Sequence, residues 1–186
     1  MDLREARRLF TVDEYYRMAE SGILHEDDRV ELVEGEILEM AAIGTRHFAC
    51  VNRVNKILVQ RVGDAAIVHV QNPIRLSDLT EPQPDVALLR PREDFYAGKH
   101  PTPEDVLFLV EVSDTTLRYD REVKLPLYAL SVIPEVWIVD LSGEEVLTYS
   151  QPSGNSYREI RRLGRGARIV SETVAGLEVG VIEVLG

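Results

Sequence analysis

Apolar residues recur along this chain with two periods, near 3.6 and near 2, and the switches between them mark its elements. Thr11-Val12-Asp13-Glu14 has the form of a capping box: Thr11 accepts the Glu14 backbone N–H, and the Glu14 side chain reaches back. A helix is expected from there to about Glu20, closed by Ser21-Gly22, with Tyr15, Met18 and Ala19 packed inward. Val30 to Met40 alternates around Glu34-Gly35, the form of a β-hairpin whose glycine tolerates a positive φ. Its glutamates, Glu31, Glu34, Glu36 and Glu39, read as solvated on this ground alone. Gly44-Thr45 opens a helix to about Val62, with Phe48, Val51, Val54, Leu58 and Val62 on one stripe. His47 and Asn55 fall on that stripe; Arg46, Arg53, Lys56 and Gln60 fall opposite. Two accounts fit. One is a core helix with a solvated basic face and a hydrogen-bonded histidine. The other puts His47 at a site rim and turns the basic face toward phosphates.

Ile67 to Val70 and Ile74 to Leu76 read as strand segments, separated by Gln71-Asn72-Pro73. A polar loop, Ser77 to Gln83, leads to Pro84-Asp85 and the apolar run Val86 to Leu89. Arg90 to Asp105 is long, polar and carries three prolines, so it is a candidate flap. Val106 to Ser113 is the most apolar run and fits a central strand covered on both faces. A helix is expected from about Tyr119 to Ser131, with Pro126 kinking it. Glu135 to Asp140 and Val146 to Tyr149 form a second hairpin around Ser142-Gly143. Tyr157 to Leu163 and Gly176 to Val184 read as further short strands.

A length of 186 residues suits one domain with its own core. The single cysteine, Cys50, excludes an intramolecular disulfide and a cysteine-rich metal site. The opening Met1-Asp2-Leu3-Arg4-Glu5 has no apolar signal core, and no apolar run nears the ~20 residues of a membrane helix. A cytoplasmic location without membrane contact is therefore expected. The net charge of −11 counts against broad nucleic-acid binding, because phosphate contacts need local positive charge. It leaves room for a carboxylate-rich site with basic residues confined to one patch.

Chemistry concentrates between Pro84 and Lys124. Asp85 and Glu111 sit at the mouths of two apolar strands, and Lys124 follows. A hard cation such as Mg²⁺ takes oxygen ligands and keeps several waters, so two carboxylates suffice. The ion would acidify a bound water, and a lysine beside it could orient that water or offset charge. Solvated carboxylates at strand ends are the competing account.

Several segments resemble the Uma-two family, endonucleases of the PD-(D/E)xK restriction-endonuclease-like superfamily. They are Arg29 to Ile37, then His47, Pro82 to Ala87, Glu111-Val112-Ser113, Asp120, Lys124, Tyr128, and Ile133 to Asp140. The resemblance runs from about Thr11 to the C-terminus. It implies an α/β (α+β) fold, a restriction-endonuclease-like mixed central sheet flanked by helices with extra β-hairpins. It implies one such domain over residues 1–186, with 1–10 as a loose tail. It implies Asp85 and Glu111 as metal carboxylates, Lys124 as the catalytic lysine and Glu31 as an assisting acid. His47, Ser113, Asp120 and Tyr128 would stand behind them. The superfamily lysine sits two residues after the glutamate, where this chain has Ser113, so Lys124 must reach in from the following helix. The implied activity is Mg²⁺- or Mn²⁺-dependent hydrolysis of DNA phosphodiesters. A catalytically silent binding or regulatory module with the same fold is the alternative, and a hydrolase of another phosphate ester is a third reading. Arg158, Arg161, Arg162 and Arg165 form either a set of phosphate contacts or a solvated arginine-rich hairpin. Cutting both strands with one site per chain would call for a homodimer.

Overall fold

The computed structural model describes residues 7–25 and 27–186. Its centre is a six-stranded mixed sheet in the order β3 (Ile67–Val70), β4 (Val86–Leu89), β5 (Val106–Ser113), β6 (Glu135–Asp140), β7 (Glu145–Ser153), β8 (Ser156–Gly164). All neighbours are antiparallel except β5 and β6, which run parallel. A parallel pair needs a crossover, and the helical segment between β5 and β6 supplies it.

Strand alternation divides the core in two. Phe108, Val110 and Val112 of β5 face the helix α2 (Thr45–Val62), the short helix α5 (Val181–Leu185) and the hairpin of β9 (Arg168–Val170) with β10 (Glu178–Gly180). Phe108 stacks on Trp137 at 4.5 Å in this layer. Val106 and Leu109 face the other layer, with Tyr128, Ala129 and Ile133 of the crossover. Glu111 shares the parity of Leu109, so it turns toward the crossover helix. A second small sheet, β1 (Val30–Val33) with β2 (Glu36–Glu39), turns at Gly35, whose φ is +79°. A Cβ on Gly35 would also come within 2.6 Å of Leu9, so only glycine fits there.

The first helix, α1 (Val12–Glu20), carries the expected capping box, but Ala19 is exposed and Val12 is the buried position. On α2 the stripe is Cys50, Val51, Val54, Leu58 and Val62. Phe48 is 62% exposed, because six residues at about 100° each carry it some 120° round the helix from Val54. Ile74 to Leu76 is not a strand: Ile74 bonds Pro82 and Leu76 bonds Thr80 in a loop, and three nearby prolines supply no ladder donors. Arg90 to Asp105 is folded down rather than poised as a flap. Tyr96 is buried, its hydroxyl donates to the Arg90 carbonyl at 2.8 Å, and the Arg92 guanidinium lies over its ring. After Gly180 the chain turns helical, since the Glu183 side chain accepts the Gly180 N–H at 2.7 Å and caps α5. Of the expected loose tail, residues 1–6 lie outside the described residues. The rest is tied down by Phe10, whose N–H donates to the Gly35 carbonyl at 2.9 Å.

The crossover helix runs through α3 (Leu117–Tyr119), a π-turn (Asp120–Lys124) and α4 (Leu125–Leu130). The Leu125 N–H reaches back to the Asp120 carbonyl, five residues away. This widened turn falls just before Pro126, which then sits in the first turn of α4, where a missing N–H costs little. The turn also buries both Asp120 and Lys124.

Leu58 is 1% exposed and Phe48 is not buried, so their truncations separate the two helix faces. Leu58→Ala should cost about 2–5 kcal/mol in urea denaturation. Phe48→Ala should change stability by no more than about 0.5 kcal/mol.

Candidate active site

The register that pairs Val86 with Val110 places Asp85 opposite Glu111 when extended by one residue. The β4 start and the β5 end therefore share one end of the sheet, and the Asp85 N–H lies 3.4 Å from Glu111 Oε2. The crossover helix passes over the same end. From its π-turn the Lys124 Nζ comes within 3.3 Å of Glu111 Oε1 and 3.4 Å of Glu31 Oε2. It also donates to the Gln83 carbonyl at 3.4 Å. Glu31 arrives from β1, where both faces are covered and Glu31, Leu32 and Val33 are all buried. Glu31, Glu111 and Lys124 are each no more than 5% exposed. The glutamates of the first hairpin thus divide, and Glu31 is not one of the solvated ones.

Each carboxylate is held by specific donors. Asp85 Oδ2 accepts the Val112 N–H at 2.8 Å and lies 3.0 Å from His47 Nε2. The Gln71 amide donates to its Oδ1 at 3.2 Å. Tyr128 donates its hydroxyl to Glu111 Oε1 at 2.5 Å. Glu31 accepts the Tyr119 hydroxyl at 3.0 Å and the Gln83 N–H at 3.0 Å. Asp120 Oδ2 accepts from Ser113 at 2.7 Å and from Thr116 at 2.8 Å. Glu31, His47, Gln83, Asp85, Glu111, Val112, Thr116, Tyr119, Asp120 and Lys124 line one cavity of about 440 Å³. Leu38 through Ile43, apolar apart from Glu39, and Gly44 line it as well.

The cavity holds more acid than base. Glu31, Glu39, Asp85, Glu111, Asp114 and Asp120 face it, against Arg29, Lys124 and His47. Burial, reinforced by Asp120 and Asp85, pushes Glu111 up to about 8, although Lys124 and the Tyr128 hydroxyl pull the other way. Burial raises Asp120 as well, with Asp85 adding to the shift. The hydrogen bond to Asp85 raises His47 against the opposing effect of burial. Burial alone would lower Lys124, but Glu111, Glu31, Asp120 and Asp85 more than reverse it, so the ammonium persists through neutral pH. Burial is the largest cause for Glu111 and Asp120 and the hydrogen bond to Asp85 for His47, with neighbouring negative charge adding to each.

A divalent cation is the group this fold implies. The donors at the cavity floor are all oxygens, the set that a hard ion takes. Among the described residues no three His, Cys, Asp or Glu side chains are spaced to enclose an ion. Asp85 and Glu111 supply carboxylate oxygens at one end of the sheet.

His47 bonds Asp85, Tyr128 bonds Glu111 and Ser113 bonds Asp120, and of these His47 and Asp120 themselves line the cavity. The arginines do not. Arg158, Arg161 and Arg162 lie on β8, at the sheet edge three strands from β5. Arg161 pairs with Glu172 at 2.8 Å, Arg162 pairs with Glu145, and Arg158 donates to Ser153. Arg165, in the turn after β8, pairs with Glu144 at 3.1 Å. None of the four lines the cavity. Sequence reasoning missed Tyr119, Gln83, Thr116 and Gln71. Gln83 had a signal, since it stands two residues before Asp85 in an extended Pro-Gln-Pro-Asp run. Tyr119 and Thr116 had one only if the helix had been started at Leu117.

A six-stranded mixed sheet with a crossover helix that brings a lysine to a central-strand glutamate has the form of a restriction-endonuclease-like fold. The chain belongs to the Uma2 family, described as "Putative restriction endonuclease", whose model matches residues 12–184. Among solved structures it is similar to a "putative nuclease belonging to DUF820" from Anabaena variabilis ATCC 29413. That likeness has a TM-score of 0.71 and covers 95% of this chain and 97% of the other. At 16% identity it concerns the fold. No curated protein matches the chain. Among the described residues, no helix is long and apolar enough to cross a membrane.

The raised groups give a stability-versus-pH prediction for the metal-free protein. Glu111 binds its proton more tightly folded than unfolded. Its stabilisation is full below its ordinary value of 4.5 and is lost as pH rises through about 8. His47 has the same sign, with its loss beginning near 6.5. Thermal melts in EDTA should therefore show stability falling from pH 5 to pH 9, by up to about 1.4 kcal/mol per pH unit and proton. Glu111→Gln should flatten that fall. A wild-type profile that is level, or rises over this range, would contradict the assignment.

Proposed function

We propose that the cavity hydrolyses DNA phosphodiesters with a divalent cation, Mg²⁺ or Mn²⁺, held by Asp85 and Glu111. When bound, the ion would acidify a water and offset charge developing on the phosphate. The observation that carries this reading is the position of Lys124, whose Nζ lies between Glu31 and Glu111 at 3.4 and 3.3 Å. It occupies this place although Ser113 stands where the superfamily lysine is expected. Because Lys124 stays protonated at neutral pH, it acts as a fixed positive charge and hydrogen-bond donor, not as the base. Glu31 steadies the ammonium and, as an acceptor, orients the attacking water. Tyr128 fixes the Glu111 carboxylate, and His47 and the Val112 N–H fix that of Asp85. Ser113 and Thr116 hold Asp120. The family description and the nuclease title of the structural neighbour support a nucleic-acid substrate. One site per chain cuts one strand, so the proposed functional unit is a homodimer.

A second reading has its own support. The Asp85 carboxylate is already engaged by His47, Gln71 and the Val112 N–H, as a silent nuclease-fold binding module would leave it.

Cleavage of supercoiled and linear DNA separates the two. With Mg²⁺ or Mn²⁺ the wild type should cut, and EDTA should stop it. Asp85→Ala and Glu111→Ala should abolish cutting, and Lys124→Ala should lower kcat by about 100-fold or more. Equal cutting by all four proteins would identify a contaminant. Metal binding that Asp85→Ala removes, without any cutting by the wild type, would establish the silent module.

A further inference from the structure

The acid-rich cavity cannot by itself attract a polyanion. Six carboxylates face it against Arg29, Lys124 and His47, and the whole chain carries −11. Whatever holds a nucleic-acid strand over Asp85 and Glu111 must lie beside the cavity and be cationic. A cleft of about 270 Å³ meets both conditions. Arg46, Arg53 and Arg165 line it with Glu144, and Arg165 also donates to a Gly186 oxygen at 3.3 Å. It adjoins the cavity, since Gly44 borders the cavity and Thr45 borders the cleft. Arg46 joins the two, its NH1 lying 3.2 Å from Asp114, a cavity residue.

We propose that this arginine cleft is a phosphate-binding subsite for the nucleic-acid strand, a deepening that rests on the DNA reading above. Three features carry it. The Arg53 guanidinium donates to the backbone carbonyls of Val184 and Leu185, contacts that fix its plane without cancelling its charge. Arg46 and Arg165 are paired, to Asp114 and Glu144, but their side chains are 62% and 42% exposed. Exposed pairs are worth only about 0–1 kcal/mol, so a phosphate can replace the carboxylate at little cost. Arg46 further donates to the Leu141 carbonyl at 2.7 Å, which holds it at the junction. From Arg46 to Arg53 is seven residues of α2, about 10 Å at 1.5 Å each. That is on the scale of neighbouring phosphates along one strand. The cleft can thus hold backbone phosphate beside the scissile one. It also gives α2's basic face a destination that the β8 arginines, three strands away, do not offer.

The test is fluorescence anisotropy of a labelled DNA duplex in EDTA, which halts metal-dependent turnover, between about 50 and 200 mM salt. Arg46→Gln and Arg165→Gln should each weaken binding about 3- to 10-fold at the low-salt end, and each should flatten the slope of log K against log[salt] by about 0.9. Arg46→Lys should keep most of the affinity, while Arg158→Gln and Arg161→Gln should leave it unchanged. Inorganic phosphate at matched ionic strength should compete poorly, since one phosphate fills only part of the cleft. Tight binding of free phosphate would overturn a strand subsite in favour of a small-anion site. A double Arg46→Gln, Arg165→Gln variant that binds DNA like the wild type, while the wild type cuts with Mg²⁺, would overturn the subsite and spare the nuclease reading. A wild type that neither binds nor cuts DNA would overturn both.

Discussion

One buried ammonium organises this end of the molecule. Lys124 is 5% exposed and sits within 3.4 Å of two carboxylates that come from different parts of the chain. Glu31 rides on a hairpin near the N-terminus, and Glu111 ends the central strand. Left unpaired, either acid would cost several kcal/mol at that depth. The lysine therefore does structural as well as chemical work: it ties the small sheet to the large one through the crossover helix. The π-turn puts Lys124 and Asp120 inward together, and the antiparallel β4–β5 register puts Asp85 opposite Glu111.

The compensation is incomplete, and that incompleteness has chemical meaning. One lysine and one histidine do not balance Glu31, Asp85, Glu111 and Asp120. Glu111 and Asp120 bind protons more tightly chiefly because they are buried, and His47 because of its hydrogen bond to Asp85, with the neighbouring carboxylates adding to each shift. Under the proposed function, a cation would take the place of these protons. The excess of acid over base in the cavity disfavours a polyanion, and the proposal gives its attraction to the neighbouring arginines.

Much of this was legible in the sequence. The capping box at Thr11, the hairpin at Gly35 and the apolar β5 run are local signals, and they appear as read. Asp85 at a strand start, Glu111 near a strand end and Lys124 on the segment that follows are visible in the sequence, and the fold brings Glu111 beside both Asp85 and Lys124. What was not legible depends on tertiary context. Phe48 continues an apolar pattern yet faces outward, because the sheet meets α2 on the Cys50–Val54–Leu58 side. Arg158, Arg161 and Arg162 cluster in sequence but alternate along an edge strand and pair with local partners. Arg46 and Arg53 lie on α2, more than a hundred residues before Arg165, and all three share a cleft. Tyr119 and Gln83 were missed because a helix start and a proline-flanked extended segment decide where they point.

The central claim is that a divalent cation displaces a proton from this buried acid cluster. Calorimetric titration of Mg²⁺ at pH 7, in two buffers of different ionisation enthalpy, measures that exchange directly. The account predicts net proton release on binding by the wild type, and loss of that release in Glu111→Gln. Binding without proton release, or release undiminished in Glu111→Gln, would contradict it.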